Sequence, residues 1–595
     1  MKEVTKLKIS LTKLLNLFNK REKKKLIILF FMMIVAALFE TFGIGLIVPF
    51  VGIVTDPAII QEQAILSYIY DVFNFESTTT FIIFSVITLL TVFILKNLYL
   101  LIFNYTQFRV ILNQQVKLSR TLFKEYLTKP YTFHLQRNTA DLLRNVNGEV
   151  SKVFQGIVMA GFQLFTEFLV ITCILVLLLM TAPIATLVAS ILLGGSVFLF
   201  FAFLRKKISS LGKEQQKVSG TMIKWVNQGL GASKEVKVSG KESFFINSYT
   251  SQSQIKANNS RYMKMLELAP RLFIETLLVS IVLITMLIIV FQGTGLTQIV
   301  STMALFAMAS FRLMPSITRV ISLITSIRYN QPALSIVYDD LFLNKDENGK
   351  IKRNRDSVII NRGERTFKDS IKLNGVSFRY PDQKECSVKD VSLTIPIGTS
   401  VAFIGESGAG KTTLVDIILG LFQPEKGTIL VDEMNLHEQR SLWQQKIGYI
   451  PQSIFLSDDT IRGNVAFGID KDKIDEDEVW RALDQAQLKE FIEELPEKLE
   501  TTVGERGVRL SGGQRQRIGI ARALYHNPEI LFMDEATSSL DNGTEKEIMK
   551  AIDGLKGEKT LIIIAHRLST IENCDIIFKI DKGRLVNTNL EESVI

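Results

Sequence analysis

The most chemically specific stretch of this 595-residue sequence is a glycine-rich run at residues 405–413, which reads GESGAGKTT. It fits the pattern GxxxxGK[ST], in which glycines let the backbone turn its N–H groups toward an anion. In that pattern the lysine reaches the β- and γ-phosphates of a nucleotide, and the hydroxyl after it binds Mg²⁺. The run therefore predicts a site for ATP with Mg²⁺. The residues expected to form it are Gly405, Ser407, Gly408, Gly410, Lys411, Thr412 and Thr413.

Polar residues suited to hydrolysis follow three apolar, strand-like segments. Asp534 ends one of them, and we expect it to hold Mg²⁺ directly or through a water. Glu535 comes next and is suited to accept a proton from the attacking water. Gln452 ends a second segment and is suited to the metal and to that water. His566 follows a third and is expected to contact the γ-phosphate, although a single histidine is more often structural.

The elements around the glycine-rich run would hold it in place. Ser400–Ile404 is typical of a buried strand, and Leu414–Leu419 predicts a helix. The order strand, loop, helix directs the positive end of the helix dipole at the phosphates. We therefore expect an α/β phosphate-loop domain over residues 368–595.

A second motif resembles a known family. Residues 510–517 read LSGGQRQR, which is similar to the signature of ATP-binding cassette (ABC) ATPases. With it, the stretch from about residue 372 to 567 resembles that family throughout. The resemblance implies that Tyr380 stacks on adenine, that Asp541 lies in a loop crossing a dimer interface, and that Thr502–Gly507 contacts the membrane domain. It also implies that the nucleotide of a partner subunit is contacted by Ser511, Gly512, Gly513 and Gln514.

The signature has consequences for assembly. In ABC ATPases it faces the nucleotide of the partner, so two ATP molecules lie between two domains. This chain carries one complete set of motifs, and the resemblance therefore implies a dimer. Because Glu535 and the signature are intact, a homodimer with two working sites is favoured over a degenerate heterodimer. By the same resemblance, two short cytoplasmic helices near Pro130–Asn138 and Ala232–Phe244 would transmit motion to the membrane domain.

The first 330 residues are much more apolar than the remainder. Hydrophobic residues make up 47% of the chain although 22% of it is charged, because the two kinds occupy separate parts. A spanning helix needs about 20 apolar residues. The six predicted spans are Leu26–Val54, Phe81–Tyr105, Ile157–Met180, Ile184–Leu204, Leu272–Phe291 and Ile299–Ile321.

The charge pattern orients these spans. Residues 26–95, 153–204 and 272–311 contain no Lys or Arg, whereas the segments between them are rich in both. The positive-inside rule then puts the basic segments and both termini in the cytoplasm, and the protein in the cytoplasmic membrane. We expect an all-α, six-helix transmembrane domain of the ABC exporter type, with spans that continue as long intracellular helices. The predicted parts are a basic N-terminal segment (1–24), the membrane domain (25–330), a linker (331–367) and the ATPase domain (368–595).

Other function classes fit less well. The formal charge of +9 is explained by a cytoplasmic basic excess, so we predict no nucleic-acid partner. The three cysteines form no CxxC pair, which indicates neither a zinc site nor a disulfide framework. A soluble ATPase, such as a translation or DNA-repair factor, remains as an alternative that six spans argue against.

Basic residues in or near the spans are candidates for substrate contact, because a charge there is costly and tends to face a cavity or a partner. One interpretation is a basic cavity that binds a lipid phosphate or pyrophosphate. The other pairs Arg271 with Glu275, and Lys96 or Arg319 with Glu40 or Glu167. The candidate substrate residues are Lys96, Arg271, Arg312 and Arg319.

The membrane half also resembles a narrower family. Residues 39–50 and 311–319, with Lys96-Asn97 and Pro270-Arg271, are similar to bacterial lipid-linked oligosaccharide flippases. That resemblance implies an anionic polyprenyl-pyrophosphate substrate whose tail is engaged by an outer helix. The amphipathic stretch Ala64–Phe73 would supply that helix, or would simply pack on the bundle. An exporter of a hydrophobic drug, lipid or peptide is the alternative.

Overall fold

The computed structural model describes residues 12–55, 57–181, 183–291, 296–342, 366–381, 383–534, 543, 549–550, 552–565, 571 and 574–586. It divides into two compact units. The first contains the described residues of Met1–Lys129 and Arg137–Ile351, and the second those of Pro130–Gln136 and Lys352–Ile595. The division agrees with a helical membrane half followed by an α/β half.

The first unit is built from helices, after a helical turn at residues 12–16. The helices before the predicted cytoplasmic segment are α1 (Lys20–Gly45), α2 (Ile47–Thr55), α3 (Ile59–Glu62), α4 (Ala64–Val72) and α5 (Thr78–Thr128). Those after it are α7 (Thr139–Arg144), α8 (Val150–Val153), α9 (Ala160–Thr181), α10 (Pro183–Gly231), α11 (Ser233–Ser239), α12 (Glu242–Phe291) and α13 (Leu296–Phe342). Two π-helical segments, Asn145–Glu149 and Phe154–Met159, join α7, α8 and α9 into one rod.

Three helical stretches within the described residues are long and apolar enough to cross a membrane: Lys20–Gly43, Thr78–Thr128 and Thr139–Met180. They coincide with the first three predicted spans. The other three predicted spans lie on α10, α12 and α13, where many side chains fall outside the described part of the chain. Helices α5, α10, α12 and α13 have 51, 49, 50 and 47 residues, so each is longer than the roughly 20 residues that cross a bilayer.

The first predicted span is interrupted, which the sequence analysis did not anticipate. One helix was expected over Leu26–Val54, whereas α1 ends at Gly45 and α2 begins at Ile47. Pro49 lies in the first turn of α2, where its missing N–H group leaves the carbonyl one turn earlier without its helical partner. The proline is therefore the local reason for the break.

The end of the membrane domain was also predicted too early. Helix α13 continues past residue 330 to Phe342, across the first part of the proposed linker. Leu334 and Val337 are buried, and Asn145 Nδ2 donates a hydrogen bond to Asp340 Oδ2 at 3.0 Å. A proline inside a helix usually predicts that the helix ends there. Tertiary packing therefore extends α13 past Pro332 against this local preference.

The predicted outer helix is present as α4. Its Leu66, Ile69 and Tyr70 pack against a small apolar cluster, whereas Ile65 and Tyr68 are 76% and 70% exposed. One face of α4 thus packs on the bundle and the other carries exposed apolar side chains.

The second unit contains two sheets. Their strands are β1 (Ser370–Phe378), β2 (Val388–Pro396), β3 (Ser400–Ile404), β4 (Lys426–Val431), β5 (Met434–Asn435), β6 (Ile447–Ile450), β7 (Ile530–Asp534), β8 (Thr560–Ile564), β9 (Ile576–Asp581) and β10 (Arg584–Val586). The antiparallel sheet has the order β2-β1-β4-β5, and the mainly parallel sheet has the order β10-β9-β3-β8-β7-β6. Strands β7 and β8 are buried along their whole length, as expected for parallel strands covered on both faces.

Helices of the second unit include the short segment α6 (Tyr131–Gln136), which comes from the membrane half of the sequence. The others described are α14 (Lys411–Ile418), α15 (Arg440–Lys446), α16 (Ile461–Val465), α17 (Glu476–Gln485), α18 (Lys489–Glu493) and α19 (Gly512–Leu524). Helix α6 spans Tyr131–Gln136, and the Tyr131 ring meets that of Phe422 at 5.8 Å. Short helices expected near Pro130–Asn138 and Ala232–Phe244 are therefore present as α6 and α11, and α6 packs with the ATPase half. Their cytoplasmic location stays a prediction.

Candidate functional site

The glycine-rich loop has a backbone that only glycine tolerates at its critical positions. Gly405 and Gly410 have φ angles of +146° and +103°. A Cβ atom on Gly405 would lie 2.1 Å from the carbonyl oxygen of Ile580, and one on Gly410 would lie 2.6 Å from that of Ser387. The loop therefore lies against the backbone of its own domain, with its shape fixed before a ligand binds.

Lys411 lies across this loop at the start of α14. Its residue is 5% exposed, and its Nζ donates to the carbonyl oxygens of Gly405 and Glu406 at 2.8 and 3.0 Å. The lysine charge is thus held where the loop N–H groups and the N-terminus of α14 converge. This arrangement fits a polyphosphate, with Thr412 beside it as the expected Mg²⁺ ligand.

The carboxyl ends of the parallel strands carry the other predicted hydrolytic groups. Asp534 is the last residue of β7 and is largely buried. Gln452 lies just after β6 and is exposed. Glu535, His566 and Asp541 lie outside the described residues, and their roles as base, γ-phosphate contact and interface residue stay predictions. The sheet order brings the described groups to one edge, which is where ligands bind in such folds.

A carboxylate that the sequence analysis missed lies near Asp534. Burial, and secondarily the charge of Asp534, raises the pKa of Asp416 to about 7. Burial also raises the pKa of the Tyr449 hydroxyl, and the charges of Asp534 and Asp416 add to that shift. These three groups therefore form an acidic cluster beside the expected metal position. Asp416 lies one helical turn after the phosphate loop, on α14. This spacing was the sequence feature from which its place in the site could have been predicted.

Tyr380 lies beside the phosphate-loop helix. Its hydroxyl is 3.1 Å from Thr413 Oγ1, and its half-buried ring meets Phe378 and Phe422 edge-on at 5.2 and 5.5 Å. An aromatic ring at this location is available to a base attached to phosphates in the loop. Its stacking on adenine stays a prediction.

The signature residues form the N-terminus of α19. Ser511 accepts a hydrogen bond from the Gln514 backbone N–H at 3.2 Å, and the Gln514 side chain accepts one from the Ser511 N–H at 2.8 Å. This capping box satisfies two backbone donors that a helix start leaves open. Ser511 and Gly512 are exposed, and a Cβ on Gly512 would meet nothing within 4 Å. The helix start is thus open to an external anion.

Arg522, a second residue missed from sequence, joins this helix to the loop after Gln452. Its guanidinium donates to the carbonyl oxygens of Phe455 and Asn464 at 2.7 and 2.8 Å. Burial lowers its pKa. It therefore connects the signature helix with the segment that carries Gln452. A single arginine in a helix gives no sequence signal of such contacts.

The candidate substrate residues of the membrane half have different surroundings. Lys96 Nζ lies 4.6 Å from the centre of the Phe93 ring. Arg271 is exposed and, within the described part of the chain, forms no ion pair with Glu275. The pairing of Arg271 with Glu275 is thus not formed among the described residues, and the role of Arg271 stays a prediction. The Arg312 side chain lies outside what the structure describes.

Arg319 forms one of the pairings that the sequence left open. Its Nη1 donates to Glu167 Oε1 at 2.7 Å, which joins α13 to α9. The Glu167 side chain is 7% exposed and that of Arg319 is 58% exposed. The guanidinium therefore neutralises a buried carboxylate while most of its surface remains accessible. An apolar cluster that includes Val170, Ile174 and Ile317 packs the same helices together.

Family models match both halves of the chain. Residues 26–314 match the ABC transporter transmembrane region, and residues 388–538 match the ABC transporter domain. Together they cover the first five predicted spans, most of the sixth, the phosphate loop and the signature.

Named relatives extend the match over most of the sequence. The chain is 31% identical to the ATP-dependent lipid A-core flippase of Cupriavidus metallidurans over 488 residues, which is 81% of this chain and 79% of that protein. It is 31% identical to the protein of the same name from Coxiella burnetii over 501 residues, 82% of this chain and 80% of that one. It is 40% identical to the mitochondrial ATP-binding cassette sub-family B member 10 of Mus musculus over 235 residues, 39% of this chain and 33% of that protein.

A solved structure has the same fold. It is described as a bacterial Atm1-family ABC exporter with ATP bound, and it aligns with a TM-score of 0.76 at 22% identity. The alignment covers 96% of this chain and 95% of that one. At this identity the likeness concerns the fold, which is that of an ABC exporter.

Proposed function

Because this chain belongs to the ABC transporter family and is an ATP-hydrolysing exporter of multi-pass membrane topology, we propose that it flips an amphipathic lipid across the cytoplasmic membrane. The specific substrate we propose is a polyprenyl-pyrophosphate-linked oligosaccharide. The observation that carries the proposal is the charged, polar interior of an otherwise apolar helical unit, centred on Arg319 and Glu167. A polar headgroup needs such an interior, whereas its lipid tail does not.

Named relatives support a lipid as cargo. Proteins called lipid A-core flippases align with about four fifths of this chain, including the segment that holds Glu167 and Arg319. The apolar outer surface of α5, where Leu90 and Leu101 are 61% and 68% exposed, suits contact with acyl chains. For the anionic group of the substrate we propose Lys96, Arg271, Arg312 and Arg319 as contacts.

The working unit we propose is a homodimer with ATP and Mg²⁺ at two shared sites. The phosphate loop and Lys411 of one subunit would hold the triphosphate, with Thr412, Gln452 and Asp534 around Mg²⁺. Glu535 would act as general base and His566 would contact the γ-phosphate. The partner subunit would supply the open helix start at Ser511–Gly513, and both termini would lie in the cytoplasm.

Transport in proteoliposomes tests the proposal. Purified protein is reconstituted with a fluorescent lipid-linked oligosaccharide, and the label exposed on each leaflet is followed by a membrane-impermeant quencher. We expect ATP-dependent movement by the wild type and none by Glu535→Gln, which retains the nucleotide-binding residues. If both proteins move the lipid equally, the proposed function is wrong.

The alternative is export of a hydrophobic drug, another lipid or a peptide. ATPase stimulation by such compounds, combined with indifference to the loss of Arg312 and Arg319, would favour it. The same vesicles serve this test, with the candidate compound added in place of the lipid-linked oligosaccharide.

A further inference from the structure

The start of α1 combines a dense positive charge with the end of a candidate membrane span. Five of its first six residues, 20–25, are basic, and the helical stretch Lys20–Gly43 is long and apolar enough to cross a membrane. The chain before it does not neutralise this charge, because residues 1–19 contain four lysines and one glutamate. The basic run therefore lies where a span leaves the hydrocarbon and meets the headgroups of a bilayer.

Glu22, the one acidic residue of this run, is directed into the protein. Its residue is 7% exposed, its carboxylate pairs with Lys117 of α5, and it accepts a hydrogen bond from the Asn19 backbone N–H at 2.7 Å. Four basic residues of the run are exposed instead, and within the described part of the chain none of them pairs with an acidic side chain. We call these four the basic surface, which consists of Lys20, Arg21, Lys24 and Lys25.

Exposed apolar side chains continue along the same side of α1. Ile27, Ile28 and Phe31 are 55%, 60% and 62% exposed, whereas Leu29 and Met33 are buried. A helix turns by about 100° per residue, so positions 20, 24, 27 and 31 form one stripe, with positions 29 and 33 on the other side. The stripe is about 16 Å long, at 1.5 Å per residue. Positive charge at one end thus passes directly into apolar surface at the other.

This order of charge and apolar surface matches the two chemical parts of one phospholipid. An anionic phospholipid carries a negative headgroup and acyl chains on one molecule, so it covers both ends of the stripe. A free phosphate would leave the apolar side chains uncovered. The same surface of a second copy of the chain would bring like charges together, which disfavours that contact.

We propose that the basic surface and the apolar side chains that follow it bind an anionic phospholipid of the surrounding bilayer. The headgroup contacts Lys20, Arg21, Lys24 and Lys25, and an acyl chain lies along Ile27, Ile28 and Phe31. This inference goes beyond the proposed function, because the lipid is a resident of the bilayer and not the transported cargo. It rests on the membrane-spanning character of the chain and on the geometry of α1.

Lipid binding to the purified full-length protein tests this assignment. Native mass spectrometry in a neutral detergent would compare the Kd of phosphatidylglycerol with that of phosphatidylcholine carrying the same acyl chains. We expect the wild type to bind phosphatidylglycerol about tenfold more tightly, the effect of one or two charge contacts. When all four residues of the basic surface are replaced by Gln, the preference should fall to about one- to threefold.

Two further variants separate charge from other effects of substitution. Arginine in place of Lys20, Lys24 and Lys25 retains the charge and should retain the preference. A matched control replaces four exposed lysines of the second unit by Gln, and it should bind as the wild type does. These lysines are Lys368, Lys384, Lys473 and Lys579. In the basic-surface variant the other five basic residues among positions 1–25 remain, which should preserve the orientation of the span.

Salt provides a test that needs no substitution. Exposed charges are screened by ions, so raising ammonium acetate from about 50 to about 500 mM should reduce the preference of the wild type for phosphatidylglycerol. Inorganic phosphate at the concentration of the lipid should not displace it, because phosphate makes no contact with the apolar side chains. If the basic-surface variant aggregates in size-exclusion chromatography, these two measurements and the arginine variant decide the matter.

Several outcomes would overturn the proposal. They are equal binding of the two lipids by the wild type, a preference that survives Gln at the basic surface, a preference lost equally in the control, and one that salt leaves unchanged. Displacement by inorganic phosphate would indicate a simple anion site and would overturn it as well. Flipping of a lipid-linked oligosaccharide without a preference for phosphatidylglycerol would retain the proposed function and reject this surface. The preference without flipping would do the reverse.

Discussion

The ring of Tyr131 lies 5.8 Å from the ring of Phe422, centroid to centroid. Phe422 in turn meets Tyr380 at 5.5 Å, and the Tyr380 hydroxyl is 3.1 Å from Thr413 of the phosphate-loop helix. Tyr131 belongs to α6, which continues through the chain into α5 and α7 of the membrane half. A short series of aromatic contacts thus connects the nucleotide site with a segment that is covalently joined to the spans.

Tyr131→Ala should reduce the coupling between ATP hydrolysis and transport. The ring is 42% exposed, so its removal should leave the domain folded. Losing about 0.5–2 kcal/mol of coupling corresponds to about a two- to thirtyfold drop in lipid moved per ATP hydrolysed. Parallel transport and phosphate-release assays measure this ratio. Tyr131→Phe retains the ring and serves as the control, and an unchanged ratio in Tyr131→Ala would contradict the relay.

Two inactive variants should restore activity when they are mixed as one dimer. Lys411→Met removes the charge at the phosphate loop, and Ser511→Arg blocks the open start of α19. Neither homodimer then has an intact site. The mixed dimer has one site built from an intact loop and an intact signature. ATPase activity of co-expressed, doubly tagged protein measures this. A mixed dimer as inactive as both parents would argue against sites shared between subunits.

Asp416 should make the stability of the nucleotide-free protein depend on pH. Its pKa is raised from an ordinary value of 3.8 to about 7, chiefly by burial. Between these values the folded protein retains a proton that the unfolded chain releases, so the free energy of unfolding falls as pH rises from about 4 to 7. The change in Tm across this pH range should be smaller in Asp416→Asn than in the wild type by at least about 2 °C.

The control for that experiment is Asp472→Asn at an exposed position of the same domain. It should leave the profile of Tm against pH unchanged. If Asp416→Asn and the wild type have parallel profiles from pH 5 to 8, the buried carboxyl does not retain its proton in solution.

Removing only Arg319 from its ion pair with Glu167 should lower the free energy of unfolding more than replacing both residues. Arg319→Gln leaves a buried carboxylate without its partner, and we expect a loss of about 1–3 kcal/mol in the free energy of unfolding. The double variant Glu167→Gln/Arg319→Gln should recover most of that loss. Thermal unfolding in detergent measures both. Transport that stays low in the stable double variant would indicate that these side chains also contact the substrate.

The nucleotide site was the most predictable part of the molecule, because its chemistry depends on short local patterns. Gly405 and Gly410 are required by backbone angles and close contacts, and a sequence motif records such requirements directly. The apolar runs of β7 and β8 likewise predicted strands, which the structure shows to be parallel and buried. The length of the spans followed from the thickness of a bilayer.

Features that depend on tertiary contacts were missed. The end of α13 at Phe342 is set by packing and by the hydrogen bond of Asp340 to Asn145, which no local pattern encodes. The raised pKa of Asp416 depends on burial beside Asp534, far away in the sequence. The pairing of Arg319 with Glu167 was one of several combinations that charge alone allowed.

The reciprocal hydrogen bonds between Ser511 and Gln514 close within a single chain. The start of α19 therefore has this part of its structure in place within one chain, and association with the proposed partner subunit would not have to order it. Such docking would lose little conformational entropy at this surface. Separation of the proposed dimer after hydrolysis would likewise leave this helix start folded.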